Sequence, residues 1–149
     1  MRIVLQRVKQ ARVRIDDAVV ASIGPGILVL LGVHAGDTPD QSAFLAAKCA
    51  DLRIFPDSEG KMNRSVTDTR GQALVVSQFT LYGDCRKGRR PSYTQAAPPA
   101  KGEELYERFV EQLKNHIPDV QTGRFGAMMD VELINDGPVT LILDKEAPR

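Results

Sequence analysis

The sequence predicts an α+β fold: a mostly antiparallel, strongly curved, barrel-like sheet with two main helices, in a single domain over residues 1–149. Three observations lead there. The first third is built of short, partly alternating apolar runs with the period of a strand. Two later segments switch to a helical period. The chain has 149 residues and 42% hydrophobic content, enough for one sizeable core and too little for a second full domain.

Taken in order, "IVLQRV", "ARVRI" and "VVASIG" read as short strands, and the unbroken apolar run "GILVLLGV" as a strand covered on both faces. Thr38-Pro39-Asp40-Gln41 then gives an N-cap candidate, proline at the first helical position and glutamine three residues after the cap. Leu45, Cys49 and Leu52 follow at i, i+4, i+7, which makes Cys49 a core residue of that helix. "PDSEGKMNRSV" and "TDTRGQ" are rich in turn residues, and "ALVVSQFTLYG" returns to strand. A long irregular stretch, "DCRKGRRPSYTQAAPPAKG", precedes a second helix, whose buried stripe is Leu105, Phe109, Leu113 and Ile117 with Tyr106 and Val110 beside it; Pro118 stops it. Two last strands, in "TGRFGAMMDVELI" and "VTLILD", flank "NDGPVT". Asp136-Gly137 between alternating apolar residues reads as a hairpin turn, with Pro138 at the mouth of the second strand, where a missing N–H is tolerated.

Composition narrows the function classes. Twenty basic and 19 acidic residues give a formal net charge of +1, so overall charge predicts neither a duplex-coating protein nor a membrane-surface binder. Cys49 and Cys85 are too far apart for a CxxC motif, and His34 and His116 have no partner at ligand spacing. No metal or other cofactor is expected. Charges punctuate "MRIVLQRVKQARVRI" and exclude a signal-peptide core, and no stretch approaches a membrane span. The expected location is the cytoplasm.

Two segments carry candidate chemistry. In "VVSQFTLYGD", strand alternation sets Gln78, Thr80 and Tyr82 on one face and Ser77, Phe79 and Leu81 on the other. Satisfied polar residues on a half-exposed strand fit this pattern as well as an active site does. No GxSxG elbow, HExxH motif or nearby histidine supplies a base for a hydroxyl nucleophile, so chemistry here would rest on backbone N–H groups and on the substrate's own groups. The long loop carries Arg86, Lys87, Arg89 and Arg90 within five residues, a set able to grip phosphates; ordinary solvated charge is the commoner meaning of such a run.

"SQFTLYGDCRKGRRPS" and "NDGPVT" together resemble the two signature segments of the D-aminoacyl-tRNA deacylases, the D-tyrosyl-tRNA deacylase family. The resemblance continues through "MRIVLQRV", "IGPGILVLLGV", "LRIFPDSEGKMNRSV", "AAPP" and "TGRFGA". It implies a homodimer that hydrolyses the ester between a D-amino acid and the 3′-terminal adenosine of tRNA. Ser77, Gln78, Phe79 and Thr80 would form the active-site segment. Gly137 and Pro138, joined by a cis bond and inserted from one subunit into the pocket of the other, would form a chirality filter. Phe125 and Met129 would lie near the terminal adenosine, and the basic loop near the acceptor-stem phosphates. A wall on one side of Cα rejects one enantiomer but finds nothing to reject in glycine, so glycyl-tRNA is an expected substrate, and the resemblance implies that this includes glycine mischarged on tRNA-Ala. Two rival readings are a non-enzymatic RNA-binding protein that uses the basic loop, and a small-molecule esterase.

Overall fold

The computed structural model describes residues 1–148. Its longest early element is β1 (Arg2–Ile15), one continuous strand where the sequence pattern predicted two. β2 (Ala18–Ile23) and β3 (Gly26–Gly32) both pair antiparallel with β1, and one register runs from Arg2↔Gly32 to Val13↔Ala21. They therefore lie end to end along one edge of β1, interrupted only at Gly24-Pro25. β8 (Asp130–Asp144) takes the other edge, also antiparallel.

Beyond β3 the sheet becomes parallel, through β6 (Gln72–Ser77) and then β7 (Val120–Thr122). This mixed sheet curls until its ends approach each other. The Ser22 backbone N–H donates to Gln121 Oε1 at 2.9 Å, and the Gly24 N–H to Gln72 Oε1 at 2.6 Å, so side-chain amides bridge the seam of a nearly closed barrel. A small hairpin, β4 (Phe55–Pro56) with β5 (Met62–Arg64), lies outside it.

Helices α1 (Pro39–Asp51) and α2 (Pro99–Lys114) cover one face of the sheet. The start of α1 follows its predicted signals: the Thr38 backbone N–H donates to Gln41 Oε1 at 2.7 Å, and the Thr38 hydroxyl reaches the same oxygen at 2.8 Å. Cys49 is buried as predicted, and burial pushes its thiol pKa up to about 12. Leu105, Phe109, Leu113 and Ile117 are all buried, and the Tyr106 hydroxyl donates to the Val75 carbonyl at 3.1 Å. Pro99 to Gly102, read from sequence as loop, are the first turn of α2; proline fits there because a first-turn N–H has no helical partner.

β3 is covered on both faces, as its apolar run predicted. Ile27, Val29 and Leu31 face the helices, while Leu28 packs with Val8, Ala11, Val13, Leu74 and Val76 in a second cluster. No helix among the described residues is long and apolar enough to cross a membrane.

Candidate active site

The predicted strand through "SQFTLY" ends early. β6 pairs with β3 only as far as Leu31↔Ser77, and Phe79–Tyr82 form a 3-10 turn. Strand alternation therefore does not describe Gln78 to Tyr82. The reason lies across the sheet at Gly32, where a Cβ would stand 3.1 Å from Leu81 Cβ and 3.2 Å from the Gln78 carbonyl oxygen. A side chain at that position would hold the turn off, and glycine lets it fold down over the end of β3.

The turn is tied at both ends. The Gln78 N–H donates to the Leu31 carbonyl at 2.8 Å, and Arg2 Nη1 donates to the Leu81 carbonyl at 3.2 Å. Inside it, the Leu81 N–H reaches the Gln78 carbonyl at 3.2 Å and the Gly83 N–H the Thr80 carbonyl at 2.9 Å. The N–H groups of Phe79 and Thr80 have no acceptor among the described hydrogen bonds. The Gln78 side-chain amide donates to Thr80 Oγ, and among the described residues no carboxylate or imidazole hydrogen-bonds to that hydroxyl. Phe79 stays 56% exposed, its ring meeting Tyr93 edge-on at 5.1 Å. The turn thus offers two backbone donors, a hydroxyl without a base, and an open aromatic face.

"NDGPVT" is not a hairpin turn. β8 runs unbroken from Asp130 to Asp144, with both halves on β1. Between the pairs Gln6↔Thr140 and Val8↔Asn135, the four residues Asp136 to Val139 stand opposite Arg7 alone, and so bulge out of the ladder. The register change across the whole irregularity amounts to two residues, an even number, so Val131, Leu133, Leu141 and Leu143 all keep their half-buried side inward. An Asp-Gly pair signals a reversal only when the flanking runs pair with each other. Here each pairs with β1, a choice invisible in the local pattern.

Arg7 and Asn135 hold the base of this bulge. Arg7 Nε donates to the Asp136 carbonyl at 2.9 Å and Nη1 to the Ile54 carbonyl at 2.5 Å, with Asp136 Oδ2 at 3.4 Å. Asn135 Nδ2 donates to the carbonyls of Arg7 and Val139, each at 3.0 Å. The Gly137–Pro138 bond at the tip is cis. A Cβ on Gly137 would lie 2.2 Å from the Val139 nitrogen, so no other residue fits this backbone. Sequence reasoning singled out neither Arg7 nor Asn135; the available signal was that strand alternation puts Arg7 on the same face as Ile3 and Leu5.

The basic loop is closed at its neck, where Asp84 and Ser92 exchange backbone hydrogen bonds at 2.8 and 2.9 Å. Its four cations are not equivalent. Arg86 forks onto Asp84 at 2.9 and 2.6 Å, and this hydrogen-bonded pairing holds the Asp84 carboxyl pKa down at about 2. Lys87, Arg89 and Arg90 make no ion pair among the described residues and are exposed. Phe125 packs on Gly102 and Tyr106 of α2, whereas Met129 lies over Gly123 and packs with the second cluster. The two proposed adenosine neighbours thus pack against different parts of the core.

A family model described as D-Tyr-tRNA(Tyr) deacylase matches residues 4–144. Relatives named D-aminoacyl-tRNA deacylase include one from Salinibacter ruber, 58% identical with 96% of each chain covered, and one from Syntrophotalea carbinolica, 59% identical with 97% of each covered. Among solved structures, a c-Myc DNA unwinding element binding protein superposes with a TM-score of 0.93 at 39% identity, covering 99% of this chain and 100% of that one. A probable eukaryotic D-amino acid tRNA deacylase shares the fold at a TM-score of 0.83 and 20% identity, with 97% and 98% covered. The family match and the relatives together define a hydrolase of the deacylase class. The chain belongs to the D-Tyr-tRNA(Tyr) deacylase family, and its activity is that of a D-aminoacyl-tRNA deacylase.

Proposed function

We propose that this protein clears D-amino acids from tRNA by an ester hydrolysis run by the backbone of its 3-10 turn. The observation that carries this reading is the pair of unpaired N–H groups at Phe79 and Thr80, beside a hydroxyl that has no base. Water adds to the ester carbonyl, and the two N–H groups stabilise the oxyanion that forms. The terminal ribose hydroxyl beside the ester helps the water to attack. Collapse of the adduct breaks the bond to the ribose oxygen, which takes a proton, and frees the D-amino acid and the tRNA. One such donor is worth about 10²–10³ in rate.

Gly137 and Pro138 act as the wall that rejects L-amino acids, and they act across a dimer. Within one chain, the anchors of the turn and of the bulge are Arg2 and Arg7, five positions apart on β1, or roughly 17 Å at a strand's rise. A wall that distant from its own turn serves better in the site of a second copy. The outer edge of β8, fifteen residues long and unpaired among the described residues, is a surface on which a second copy can dock. Residues 1–149 work in this reading as one deacylase domain in the cytoplasm. Lys87, Arg89 and Arg90 meet acceptor-stem phosphates, with Arg86 bracing the loop, while Phe125 and Met129 border the terminal adenosine.

The test is the release rate of a D-amino acid, its L-enantiomer and glycine from charged tRNA. Loss of the D and glycyl forms with the L form intact is expected. Equal resistance of the glycyl and L forms would overturn the wall, because glycine offers it nothing to strike. The 39% identical structure, that of a c-Myc DNA unwinding element binding protein, favours a second reading, a nucleic-acid-binding protein that uses the basic loop. Salt-sensitive RNA binding without cleavage of any ester would put that reading first.

A further inference from the structure

The 3-10 turn has a partner that neither signature segment contains. We infer that Arg2 is a positioning residue for ester hydrolysis, clamping the C-terminal end of the turn so that the Phe79 and Thr80 N–H groups hold their aim. The inference rests on the proposed role of that turn. Arg2 sits at the start of β1, where it pairs with Gly32 on one edge, the glycine beneath the turn, and with Asp144 on the other. Its guanidinium uses three directions at once. Nε and Nη2 fork onto the Asp144 carboxylate at 2.8 and 3.3 Å, Nη1 donates to the Leu81 carbonyl at 3.2 Å, and the flat face lies 5.3 Å from the centre of the Tyr82 ring. The Tyr82 ring also meets the His34 ring, edge-on at 5.3 Å.

The fork onto Asp144 matters because it fixes the plane of the guanidinium. A planar cation held at two nitrogens can aim the third, whereas a lysine ammonium with the same charge cannot hold Asp144 in a fork and reach Leu81 in a defined direction. The far end of the turn is already fixed by the Gln78 N–H on Leu31. Release of one end leaves the turn in place but lets the peptide planes between Gln78 and Leu81 rock. Transition-state stabilisation by fixed donors depends on their orientation and is lost before substrate binding is.

The experiment compares Arg2→Ala and Arg2→Lys with the intact protein on one D-aminoacyl-tRNA, reading kcat and KM separately. Arg14→Ala, which breaks an exposed pair with Glu132, controls for the lost charge. Because the clamp is partly exposed, the expected loss in kcat is about tenfold for Arg2→Ala, with KM unchanged and little recovery in Arg2→Lys. Arg14→Ala stays at the wild-type rate. A kcat for Arg2→Ala within twofold of wild type overturns the proposal, as does a loss confined to KM or full recovery by lysine. If Arg2→Ala does not fold, Asp144→Asn decides: it keeps the shape and weakens the fork, and an unchanged kcat there also overturns the proposal. A threonine-to-hydroxy-acid replacement at position 80, which removes only the N–H, separates the two layers. If it abolishes turnover while Arg2→Ala does not, the clamp is wrong and the turn stands; if neither changes kcat, the reading of the turn falls as well.

Discussion

The 3-10 turn after β6 and the bulge in β8 both leave the regular strand ladder, and both are braced by an arginine of β1, yet they are finished in opposite ways. In the turn, the bracing leaves two backbone donors unpaired at Phe79 and Thr80. In the bulge, the bracing groups occupy backbone acceptors: Arg7 takes the Asp136 carbonyl and Asn135 the Val139 carbonyl. An open donor pair has hydrogen-bonding capacity to offer a reacting oxygen. A bulge whose base is saturated and whose tip is a glycine and a proline has mainly shape to offer. In the proposed reading, the first region serves the chemistry and the second the exclusion.

The sharpest way to break this comparison is to remove a donor without touching a side chain. Replacement of Thr80 by its α-hydroxy acid exchanges the N–H for oxygen. The expected fall in kcat is about 10²–10³, with D/L selectivity preserved. Single-turnover hydrolysis of D- and L-aminoacyl-tRNA measures both quantities, and a rate near wild type would reassign the chemistry elsewhere.

Next in size is Gly137→Ala. A Cβ there cannot coexist with the Val139 nitrogen at 2.2 Å, so the tip must move. Selectivity should fall roughly 10- to 200-fold, the scale set by a single methyl-sized change in a pocket. The D-rate should fall less. The two variants are meant to be mirror images, one losing rate and keeping selectivity, the other the reverse. Were Gly137→Ala to lose rate and keep selectivity, the division between the regions would be wrong.

Arg7→Ala should act like a diluted Gly137→Ala. It leaves the Ile54 and Asp136 carbonyls without their donor in a half-buried setting, at a cost of about 1–3 kcal/mol in stability. The loosened bulge should lower selectivity about tenfold or less, read in the same paired assay alongside a denaturant titration.

These two regions also mark where the sequence could be read and where it could not. The period of α2, the capping signals of α1 and the two-faced burial of β3 were legible because each is set by residues within a few positions of one another. The turn and the bulge were misread as a strand and a hairpin because each depends on a distant partner. "SQFTLY" has strand-like alternation, and only Gly32, more than forty positions earlier, lets it fold down. "NDGPVT" has hairpin chemistry, and only the competing claim of β1 on both flanks straightens it. The candidate site residues were named through resemblance in their order, while the arginines that brace them lie at the start of the chain.

The smallest expected effect decides the most about mechanism. Thr80 carries the one aliphatic hydroxyl on the turn, and an acyl-enzyme through it would need a group to take its proton. The structure surrounds that oxygen with a donor instead. The Gln78 amide gives it a hydrogen bond, which draws electron density from that oxygen and weakens it as a nucleophile, and no basic group among the described residues contacts it. Removing the hydroxyl by Thr80→Ala should therefore lower kcat no more than about threefold, the scale of one exposed hydrogen bond. Loss of all turnover in a folded Thr80→Ala protein, with a covalent adduct trapped on the wild type, would make Thr80 the nucleophile. The open N–H groups would then serve its oxyanion rather than one formed by water, and the turn would carry both halves of the reaction in three residues.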